Sequence, residues 1–332
     1  MKLIIQIPCL NEEEALPATL AELPRRVEGF DAVEWLVVDD GSTDRTVEVA
    51  REHGVDHIVS FPANRGLAAA FQAGLDAALK LGADVVVNTD ADNQYRADDI
   101  DRLTRPILDG EADLVIGDRG VADHAEFSPV KRQLQRLGSS VVSRASGTRV
   151  ADTTSGFRAY SRAAALGVQV TSRFTYTLET IIQAGHAGLT VIDVPIRTNP
   201  AVRPSRLFRS TFGYIRRSVG TIARQFVVHR PLAVFMPLAL ACATVSVVLL
   251  ARFAVLYAIT DGPTGHVQSL VVGAVAGVMA VQLAMLGLLA DLMRRNRLVA
   301  EATLRRVRAI ELATGVPPDG VTPPGVDGRP IR

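Results

Sequence analysis

The sequence contains little cysteine, and this scarcity excludes two classes of site. Only Cys9 and Cys242 occur among the 332 residues. They are far apart and lie in dissimilar contexts, so they match neither a disulfide framework nor the ligand spacing of a zinc site. Such a composition is typical of a protein part that faces the reducing cytosol, and we expect the N-terminal part of this chain to lie there.

The chain also lacks a large net charge and a long apolar run at its N-terminus. Its formal net charge is +1, which gives no global basic signature, so no nucleic-acid partner is expected. The charge is nevertheless uneven, because acidic residues crowd the first 126 positions and arginine is concentrated from Lys131 onward. The apolar stretch at residues 3–7 is too short for a signal peptide and predicts a first β-strand.

Short apolar segments alternate with helix-like segments through the first 200 residues. The short segments are rich in Val, Ile and Leu, as buried strands are. The alternation predicts an α/β fold, a Rossmann-like, mainly parallel sheet with helices on both faces, whose ligands gather at the carboxyl ends of the strands. Asn11, Ser42 and Asn64 precede three of the helices as candidate N-caps. The predicted strands are residues 3–7, 35–38, 57–61, 84–87 and 113–116, and the predicted helices are residues 13–23, 43–53, 67–81 and 98–108.

Two uncharged segments in the C-terminal third predict a membrane anchor. Residues 231–251 and 267–290 each reach the ~20-residue length that crosses a bilayer, and they contain the small residues that let such helices pack. The alternative, a pair of buried core helices, is disfavoured by two such runs in succession. Arginines flank the outer sides of the pair and are absent from the loop at 260–266. The positive-inside rule therefore predicts a transmembrane helical hairpin with both ends in the cytoplasm.

These patterns divide the chain into four regions. Residues 1–204 form the predicted catalytic sheet domain. Residues 205–230 mix arginine with apolar side chains, which favours an amphipathic juxtamembrane helix over a solvated helix packed on the domain. Residues 231–292 contain the two transmembrane helices. Residues 293–332 predict a cytoplasmic helix and a disordered tail rich in Pro and Gly. An integral membrane protein with its catalytic domain on the cytoplasmic face is therefore expected.

Two carboxylates after the fourth predicted strand indicate a metal site. Asp90 and Asp92 are separated by one residue, and Gln94 adds a further side-chain oxygen. This arrangement suits a hard divalent cation, Mg²⁺ or Mn²⁺, held together with substrate phosphates. A plain acidic turn is the alternative for an isolated pair of this kind.

Three other predicted strands also end in polar residues. Asn11 and Glu12 follow the first strand, and Asp39 and Asp40 end the second, where they can accept hydrogen bonds from a ribose or a base. Arg65 adds a cation after the third strand. Each site taken alone is also compatible with a plain strand-to-helix turn, but four polar strand ends that face one crevice favour a binding site.

The chain resembles the inverting family 2 glycosyltransferases of the GT-A nucleotide-sugar-binding fold, and within them the polyprenyl-phosphate (dolichol-phosphate) hexosyltransferases. The resemblance covers about the first 200 residues. It implies transfer of a hexose from a nucleotide diphosphate sugar to a polyprenyl phosphate lipid at the membrane, with Mg²⁺ or Mn²⁺ as cofactor. A homo-oligomer is compatible with it. One departure is Asp118, because many relatives carry Gly-Ser-Arg where this chain has Gly-Asp-Arg. The matching signatures are residues 8–14, 37–44, 64–66, 90–94, 117–119 and 154–158.

The resemblance and the strand-end patterns together assign roles to individual residues. They distinguish metal ligands, donor-binding residues and residues that face the reacting phosphate groups. The metal ligands are Asp90, Asp92 and Gln94; the donor-binding residues are Pro8, Asn11, Glu12, Asp39, Asp40, Arg65 and Asp90; the catalytic residues are Asp92, Arg119, Lys131 and Arg132.

The distribution of charge predicts the acceptor. A hydroxyl acceptor needs a general base, whereas a lipid phosphate is already anionic and needs cations to hold it. Residues 118–158 are rich in Lys and Arg, and the acidic residues Asp152 and Glu179 are at least as suited to pairing with Arg158 as to acting as a base. A phosphate acceptor is therefore favoured. Its predicted ligands are Arg119, Arg158, Arg197, Arg203 and Arg206.

Three alternatives have distinct signatures. A family 2 enzyme that glycosylates a hydroxyl of a glycan or membrane lipid would need a base, for which Asp118 and Asp152 are candidates. A nucleotidyltransferase would have a glycine- and arginine-rich first loop with a lysine, which residues 8–14 lack. A non-catalytic membrane scaffold that retained the fold is disfavoured by the intact Asp90, Asp92 and Arg119.

Overall fold

The computed structural model describes residues 1–120, 148, 150–170, 176–200, 227, 230–259, 267–315 and 321–322. The chain divides into two compact units, one formed by Met1–Thr211 with Arg305–Arg332 and the other by Phe212–Leu304. Most of the predicted amphipathic region at 205–230 and the whole loop at 260–266 lie outside the described residues, as do Lys131, Arg132, Arg203 and Arg206.

The first unit contains an eight-stranded mixed sheet with helices. The strands are β1 (Lys2–Cys9), β2 (Ala32–Asp39), β3 (His57–Ser60), β4 (Val85–Asn88), β5 (Leu114–Asp118), β6 (Arg158–Ser161), β7 (Val191–Pro195) and β8 (Val321–Thr322). The helices are α1 (Leu16–Glu22), α2 (Thr46–Glu52), α3 (Leu67–Lys80), α4 (Ile100–Leu108, preceded by a 3₁₀ turn at Ala97–Asp99), α5 (Arg162–Gly167) and α6 (Thr177–His186).

The strand order is β7-β5-β6-β4-β1-β2-β3-β8. The pairs β1–β2, β1–β4, β2–β3 and β5–β7 are parallel. Strand β6 runs antiparallel to both of its neighbours, β4 and β5, and β8 runs antiparallel to β3. The predicted α/β class and the mainly parallel sheet are confirmed. The strand at Val321–Thr322 differs from the predicted disordered tail, because it pairs with the edge strand β3.

Alternating side chains of the strands build a core on each face of the sheet, as the period of two requires. On one face, Leu3, Ile5 and Ile7 of β1 pack in a cluster that also includes residues of α1, α2 and α4. On the other face, α3 packs against β1 and β2. Helices therefore cover both faces, and the loops at the carboxyl ends of the parallel strands remain available for a site.

The predicted N-caps are wrong for all three helices. Helices α1, α2 and α3 begin after Ala15, Arg45 and Gly66, and none of these residues makes a side-chain cap. The predicted starts of α1 and α2 are too early, because the polar residues ahead of them belong to the strand-end loops, whereas α3 begins at Leu67 as predicted. Asn11, for example, hydrogen-bonds across to the loop that follows β2.

The second unit contains most of two long apolar helices, α7 (Pro231–Ile259) and α8 (Val267–Ala313). Their most apolar windows have mean hydropathies of 2.4 and 2.2 with only 11% and 17% of residues buried. The low burial argues against core helices of a soluble protein, and both helices are long and apolar enough to cross a membrane. Helix α8 runs continuously from the apolar segment into the charged one, whereas the sequence suggested two separate helices.

Small residues line the contact between α7 and α8, as the sequence predicts. The hydroxyl of Ser246 donates to the carbonyl of Gly273 over 2.7 Å. A Cβ atom on Gly277 would lie 2.9 Å from Ser246 Oγ, and one on Gly287 would lie 3.1 Å from the Cβ of Phe235. The absence of side chains at these glycines therefore allows the two backbones to approach closely.

Candidate active site

The loop after β4 carries the two carboxylates predicted to bind metal. Burial, together with the negative charges of Asp92 and Glu12, raises the pKa of Asp90 to about 6, against the opposing effects of Arg119 and of hydrogen bonding by Tyr95. Because Glu12, Asp92 and Arg119 all act on Asp90, the loops that follow β1, β4 and β5 lie close together in space, as predicted. A pair of repelling carboxylates at a partly buried position is an arrangement that a cation would stabilise.

The donor set of this loop fits a divalent cation that takes its remaining ligands from a substrate. Asp90 and Asp92 provide carboxylate oxygens, and the residues that the structure describes include no cluster of three or more His, Cys, Asp and Glu side chains that could enclose an ion. Magnesium sites of this type use one or two carboxylates together with phosphate oxygens. The residues present are therefore compatible with Mg²⁺ or Mn²⁺ bound with a nucleotide diphosphate.

An unusual backbone conformation shapes the same loop. Asn93 adopts a left-handed conformation with φ of 55°, which non-glycine residues rarely adopt. Its side chain donates to Glu22 of α1 over 2.9 Å, and its carbonyl accepts from the side chain of Asn199 over 3.1 Å. The backbone N–H of Gln94 donates to Asp92 Oδ1 over 3.3 Å, and its carbonyl accepts from the N–H of Asn199 over 2.8 Å. The loop is thus held from α1 and from the segment after β7.

Arg119 forms a two-pronged ion pair beside the carboxylates. Its Nε and Nη2 donate to the two oxygens of Asp152 over 2.7 and 3.1 Å, and Nη2 also donates to Thr154 Oγ1 over 2.9 Å. Burial alone would raise the pKa of Asp152, but the hydrogen bonds and charge of Arg119 outweigh burial, so the pKa lies below its usual range. Asp152 therefore remains an ionised partner of Arg119 and is a weak candidate for a general base.

The loops after β1 and β2 are joined by side-chain to backbone hydrogen bonds. Asn11, itself left-handed with φ of 54°, donates from its backbone to Ser42 Oγ and accepts at Oδ1 from the N–H of Thr43. The N–H of Glu12 donates to Thr46 Oγ1 over 2.8 Å. Asp39, which is 4% exposed, accepts from the N–H of Ser42. The predicted nucleoside-binding residues Asn11, Glu12 and Asp39 therefore lie close together in two hydrogen-bonded loops, beside the buried Pro8 at the end of β1.

Asp40 has a different position from the one predicted. Its two carboxylate oxygens accept from the backbone N–H groups of Arg65 and Gly66 over 2.7 and 2.9 Å, and it is 3% exposed. Gly41 has a φ of +76°, and a Cβ there would lie 2.5 Å from the backbone of Ala63. Asp40 thus fixes the loop that carries Arg65, and its carboxylate is engaged within the protein rather than presented to a donor.

Comparison with known proteins decides the family. The model of the family described as Glycosyl transferase family 2 matches residues 4–167. The dolichyl-phosphate hexose transferase of Haloferax volcanii is 33% identical over 190 residues, which are 56% of this chain and 78% of that protein. The undecaprenyl-phosphate mannosyltransferase of Micrococcus luteus is 31% identical over 206 residues, 59% of this chain and 83% of that protein. This chain belongs to glycosyltransferase family 2.

A solved structure supports the GT-A fold of this glycosyltransferase. The glucosyl-3-phosphoglycerate synthase of Mycobacterium tuberculosis, in complex with Mn²⁺, UDP-glucose and phosphoglyceric acid, superposes with a TM-score of 0.52 at 20% identity. The match covers 68% of this chain and 79% of that one. At this identity the likeness concerns the fold.

Two arginines of the glycosyltransferase do not fit their predicted role as ligands of an acceptor phosphate. Arg158 is fully buried, and its guanidinium donates to the carbonyls of Thr153, Ser155 and Thr177 and to the hydroxyl of Thr180. With those contacts and no exposure, it serves the interior of the protein. The proposed pairing of Asp152 with Arg158 is also wrong, because Asp152 binds Arg119 instead.

The second of these arginines is Arg197, whose guanidinium pairs with Asp99. Its Nη2 and Nε lie 2.8 and 3.1 Å from Asp99 Oδ1, and Asp99 is fully buried. The backbone N–H of Arg197 donates to the same carboxylate over 2.6 Å. Arg197 therefore anchors the segment after β7 and is already paired. Arg119 is paired with a carboxylate as well, but its charge acts on Asp90, whereas the charge of Arg197 acts on Asp98 and Asp99.

Two site residues of the glycosyltransferase carried no role in the sequence prediction. Tyr95 is 6% exposed, and its hydroxyl accepts from the N–H of Gly156 over 3.1 Å. A Cβ atom on Gly156 would lie 3.0 Å from both carboxylate oxygens of Asp90. Their signals in the sequence were the family signatures at 90–94 and 154–158, which place a tyrosine just after the first and a glycine inside the second. What the signatures could not give was the contact between them.

Proposed function

We propose that this glycosyltransferase transfers a hexose from a nucleotide diphosphate sugar to a polyprenyl phosphate, with inversion at the anomeric carbon, at the cytoplasmic face of the membrane. The observation that carries the proposal is the engagement of Asp152 by Arg119, which leaves a cation and an occupied carboxylate where a hydroxyl acceptor would need a free base. The names of the two relatives, which contain dolichyl phosphate and undecaprenyl phosphate, support the same acceptor class.

The donor is held by residues from three strand ends. Pro8, Asn11, Glu12 and Asp39 line the nucleoside side, and Asp90, Asp92 and Gln94 hold Mg²⁺ or Mn²⁺ with the diphosphate. When bound, the cation offsets the negative charge that builds on the departing diphosphate. The chain contributes a fixed arrangement of these oxygens, because the loop after β4 is tied to α1 and to the segment after β7.

The acceptor phosphate lies against Arg119 in this proposal. Within the described residues, the protein contacts of Arg119 use Nε and Nη2, so Nη1 is the group that remains for a ligand. An anionic phosphate oxygen attacks the anomeric carbon without a base, since it carries no proton to remove. Asp152 orients the guanidinium, and this pre-organises Arg119 for the phosphate.

A hydroxyl acceptor is the second candidate, and Asp118 is the observation that favours it. Burial raises the pKa of Asp118, with further increases from the charges of Asp152 and Asp193, against a hydrogen bond from the N–H of Gly120. A carboxylate with a raised pKa is a better proton acceptor. In this alternative Asp118 would be the base, and Asp118→Asn would abolish turnover without weakening donor binding.

The decisive experiment offers purified full-length protein a polyprenyl phosphate and the matching free polyprenol, each with a panel of radiolabelled nucleotide sugars and Mn²⁺. We expect labelled lipid only from the phosphate, and no product in excess EDTA. Labelling of the free polyprenol, or of a glycan with no reaction of the phosphate, would reject the proposed acceptor. Full turnover in EDTA would reject the proposed metal.

The topology is tested separately. In a Cys242→Ser background, a cysteine introduced within residues 261–266 should react with an impermeant maleimide only from the side opposite to the catalytic unit. The basis is the arginine distribution around the apolar segments. Labelling of that loop only from the cytoplasmic side would contradict the proposed orientation.

A further inference from the structure

The backbone of Gly156 is fixed on both sides by buried polar side chains. Its carbonyl accepts from the side chain of Asn88 over 2.8 Å, and its N–H donates to the hydroxyl of Tyr95 over 3.1 Å. Asn88 is fully buried and is itself held by Gln6, whose Nε2 donates to Asn88 Oδ1 over 2.8 Å. The N–H of Gly156 therefore points in a fixed direction, toward Tyr95.

A fixed N–H donor determines the direction of the tyrosine proton. A backbone N–H can only donate, so the hydroxyl oxygen of Tyr95 must act as its acceptor. The hydroxyl proton is then directed away from that N–H and toward the Asp90 carboxylate, which lies against the same glycine and whose pKa is lowered by Tyr95. The ring of Tyr95 stacks on Phe157 with centroids 5.0 Å apart, which prevents the hydroxyl from swinging away. Hydrogen-bond donation therefore runs in one direction, from Gly156 to Tyr95 and from Tyr95 toward Asp90.

The space around the Asp90 carboxylate is limited on its other side by Gly156 itself. A Cβ at that position would lie 3.0 Å from each oxygen of Asp90 and 2.9 Å from the hydroxyl of Tyr176. The carboxylate therefore lies directly over the Cα of a glycine, and a larger residue would displace it. Tyr95 and Gly156 restrict the same group in two independent ways, one by attraction and one by shape.

We infer that Tyr95, together with Gly156, is a positioning element that fixes the orientation of the Asp90 carboxylate for binding of the divalent cation and the donor diphosphate. The inference rests on the proposed role of Asp90 in the donor site. Groups that hydrogen-bond a metal-binding carboxylate set its orientation, and their loss typically weakens metal affinity or activity by about 10- to 100-fold.

The experiment compares two buried Tyr→Phe variants in the full-length protein. Tyr95→Phe removes the hydroxyl and keeps the ring on Phe157. Tyr160→Phe is the matched control, because Tyr160 is fully buried on β6 and its hydroxyl has no hydrogen-bond partner among the described residues. Mn²⁺ affinity is measured by electron paramagnetic resonance with saturating UDP and, separately, GDP, and kcat and the KM for polyprenyl phosphate are measured beside it.

We expect Tyr95→Phe to weaken Mn²⁺ affinity by about 10-fold or more and to lower kcat by a similar factor. The KM for polyprenyl phosphate and all parameters of Tyr160→Phe should remain within about twofold of wild type. Equal Mn²⁺ affinity of the two variants would overturn the inference. Wild-type protein that binds neither nucleotide more tightly with Mn²⁺ would instead overturn the metal site of the proposed function.

Gly156→Ala tests the same orientation without removing the hydroxyl. Its methyl group would lie against both oxygens of Asp90, so we expect a loss of Mn²⁺ affinity although Tyr95 is intact. This variant also decides the case if Tyr95→Phe does not fold. Wild-type Mn²⁺ affinity in Gly156→Ala would overturn the inference, because the carboxylate would then tolerate displacement.

Discussion

Two strand ends of this sheet carry the same residue type and use it differently. After β2, Asp39 accepts one backbone N–H at Oδ1 and keeps its proposed place at the nucleoside, whereas both oxygens of the buried Asp40 accept backbone N–H groups of the next loop. After β4, Asp90 and Asp92 lie close enough to repel each other, and this repulsion adds to burial in raising the pKa of Asp90. The comparison shows that the supply of local N–H donors distinguishes a carboxylate that shapes a loop from one that remains available for a ligand.

The largest effect should come from the ligand-facing pair. Asp92→Ala removes one of two carboxylates of the proposed cation site, and we expect kcat to fall by at least about 100-fold with little change in the midpoint of thermal unfolding. The control is Asp98→Ala, an exposed carboxylate of the following turn. Retention of more than half of the wild-type activity in Asp92→Ala would show that this pair, like the first, has a role within the fold.

A large effect of another kind is expected after β2. Asp40→Ala leaves the N–H groups of Arg65 and Gly66 without their acceptor and should lower the free energy of unfolding by about 2 kcal/mol. Urea denaturation monitored by the fluorescence of Trp35, the only tryptophan, measures this change on β2, the strand that Asp40 follows. Asp40→Asn should lose less, since the amide oxygen still accepts. Unchanged stability with loss of nucleotide binding would instead return Asp40 to the donor site.

A smaller effect of opposite sign is expected for Asp90 in metal-free protein. Because the folded-state pKa of about 6 lies above the unfolded value, the folded protein binds a proton more tightly, and stability declines as pH rises from about 4 to 6. Asp90→Asn removes this penalty. In EDTA it should raise the thermal midpoint at pH 8 by up to a few degrees and leave it unchanged below pH 4. A lower midpoint at pH 8 would mean that the carboxylate stabilises the fold.

The smallest effect is expected at Asp99, which resembles the β2 pair in accepting a backbone N–H but also pairs with Arg197. Burial raises its pKa, but the contacts with Arg197 outweigh burial and the pKa is lowered. Its stabilising contribution is therefore present above the unfolded pKa and lost as pH falls through the folded one. Arg197→Ala should lower the thermal midpoint slightly at pH 7, with the difference vanishing at low pH and the KM for polyprenyl phosphate unchanged. Arg96→Ala is the control; a raised acceptor KM in Arg197→Ala alone would restore Arg197 as a phosphate ligand.

Local patterns were sufficient to predict the first half of the sheet and the convergence of its loops. The apolar runs of β1 to β5 are short and separated by helices, so these strands and their parallel direction follow from the sequence, whereas their order in the sheet does not. The proximity of Glu12, Asp90 and Arg119 follows in turn from the rule that parallel strands end at one edge. Apart from the pairing of the strands, these predictions required no knowledge of contacts between residues that are distant in the sequence.

The remaining features depend on contacts that composition does not reveal. An arginine in a polar signature is expected at the surface, yet Arg158 is buried because carbonyls up to 19 residues away surround its guanidinium. Asp152 was weighed as a partner of Arg158, but its actual partner, Arg119, lies 33 residues away. Side-chain pairing across such distances is determined by packing in three dimensions.

Strand β6, inserted in reverse between β4 and β5, determines which part of the chain reaches the reaction centre. Strand β6 begins at the end of the sheet where β4 and β5 finish. Asn88 of β4 and Ile116 of β5 are both opposite Arg158, the first residue of β6. This end of the sheet therefore carries the segment that precedes β6 as well as the loops that follow β4 and β5. For this reason Asp152, Thr154 and Gly156 enter the site from the opposite chain direction. Changes in the length of the connection that leads into β6 would therefore act directly on the site, whereas changes in the connection that leaves it would act at the far edge of the sheet.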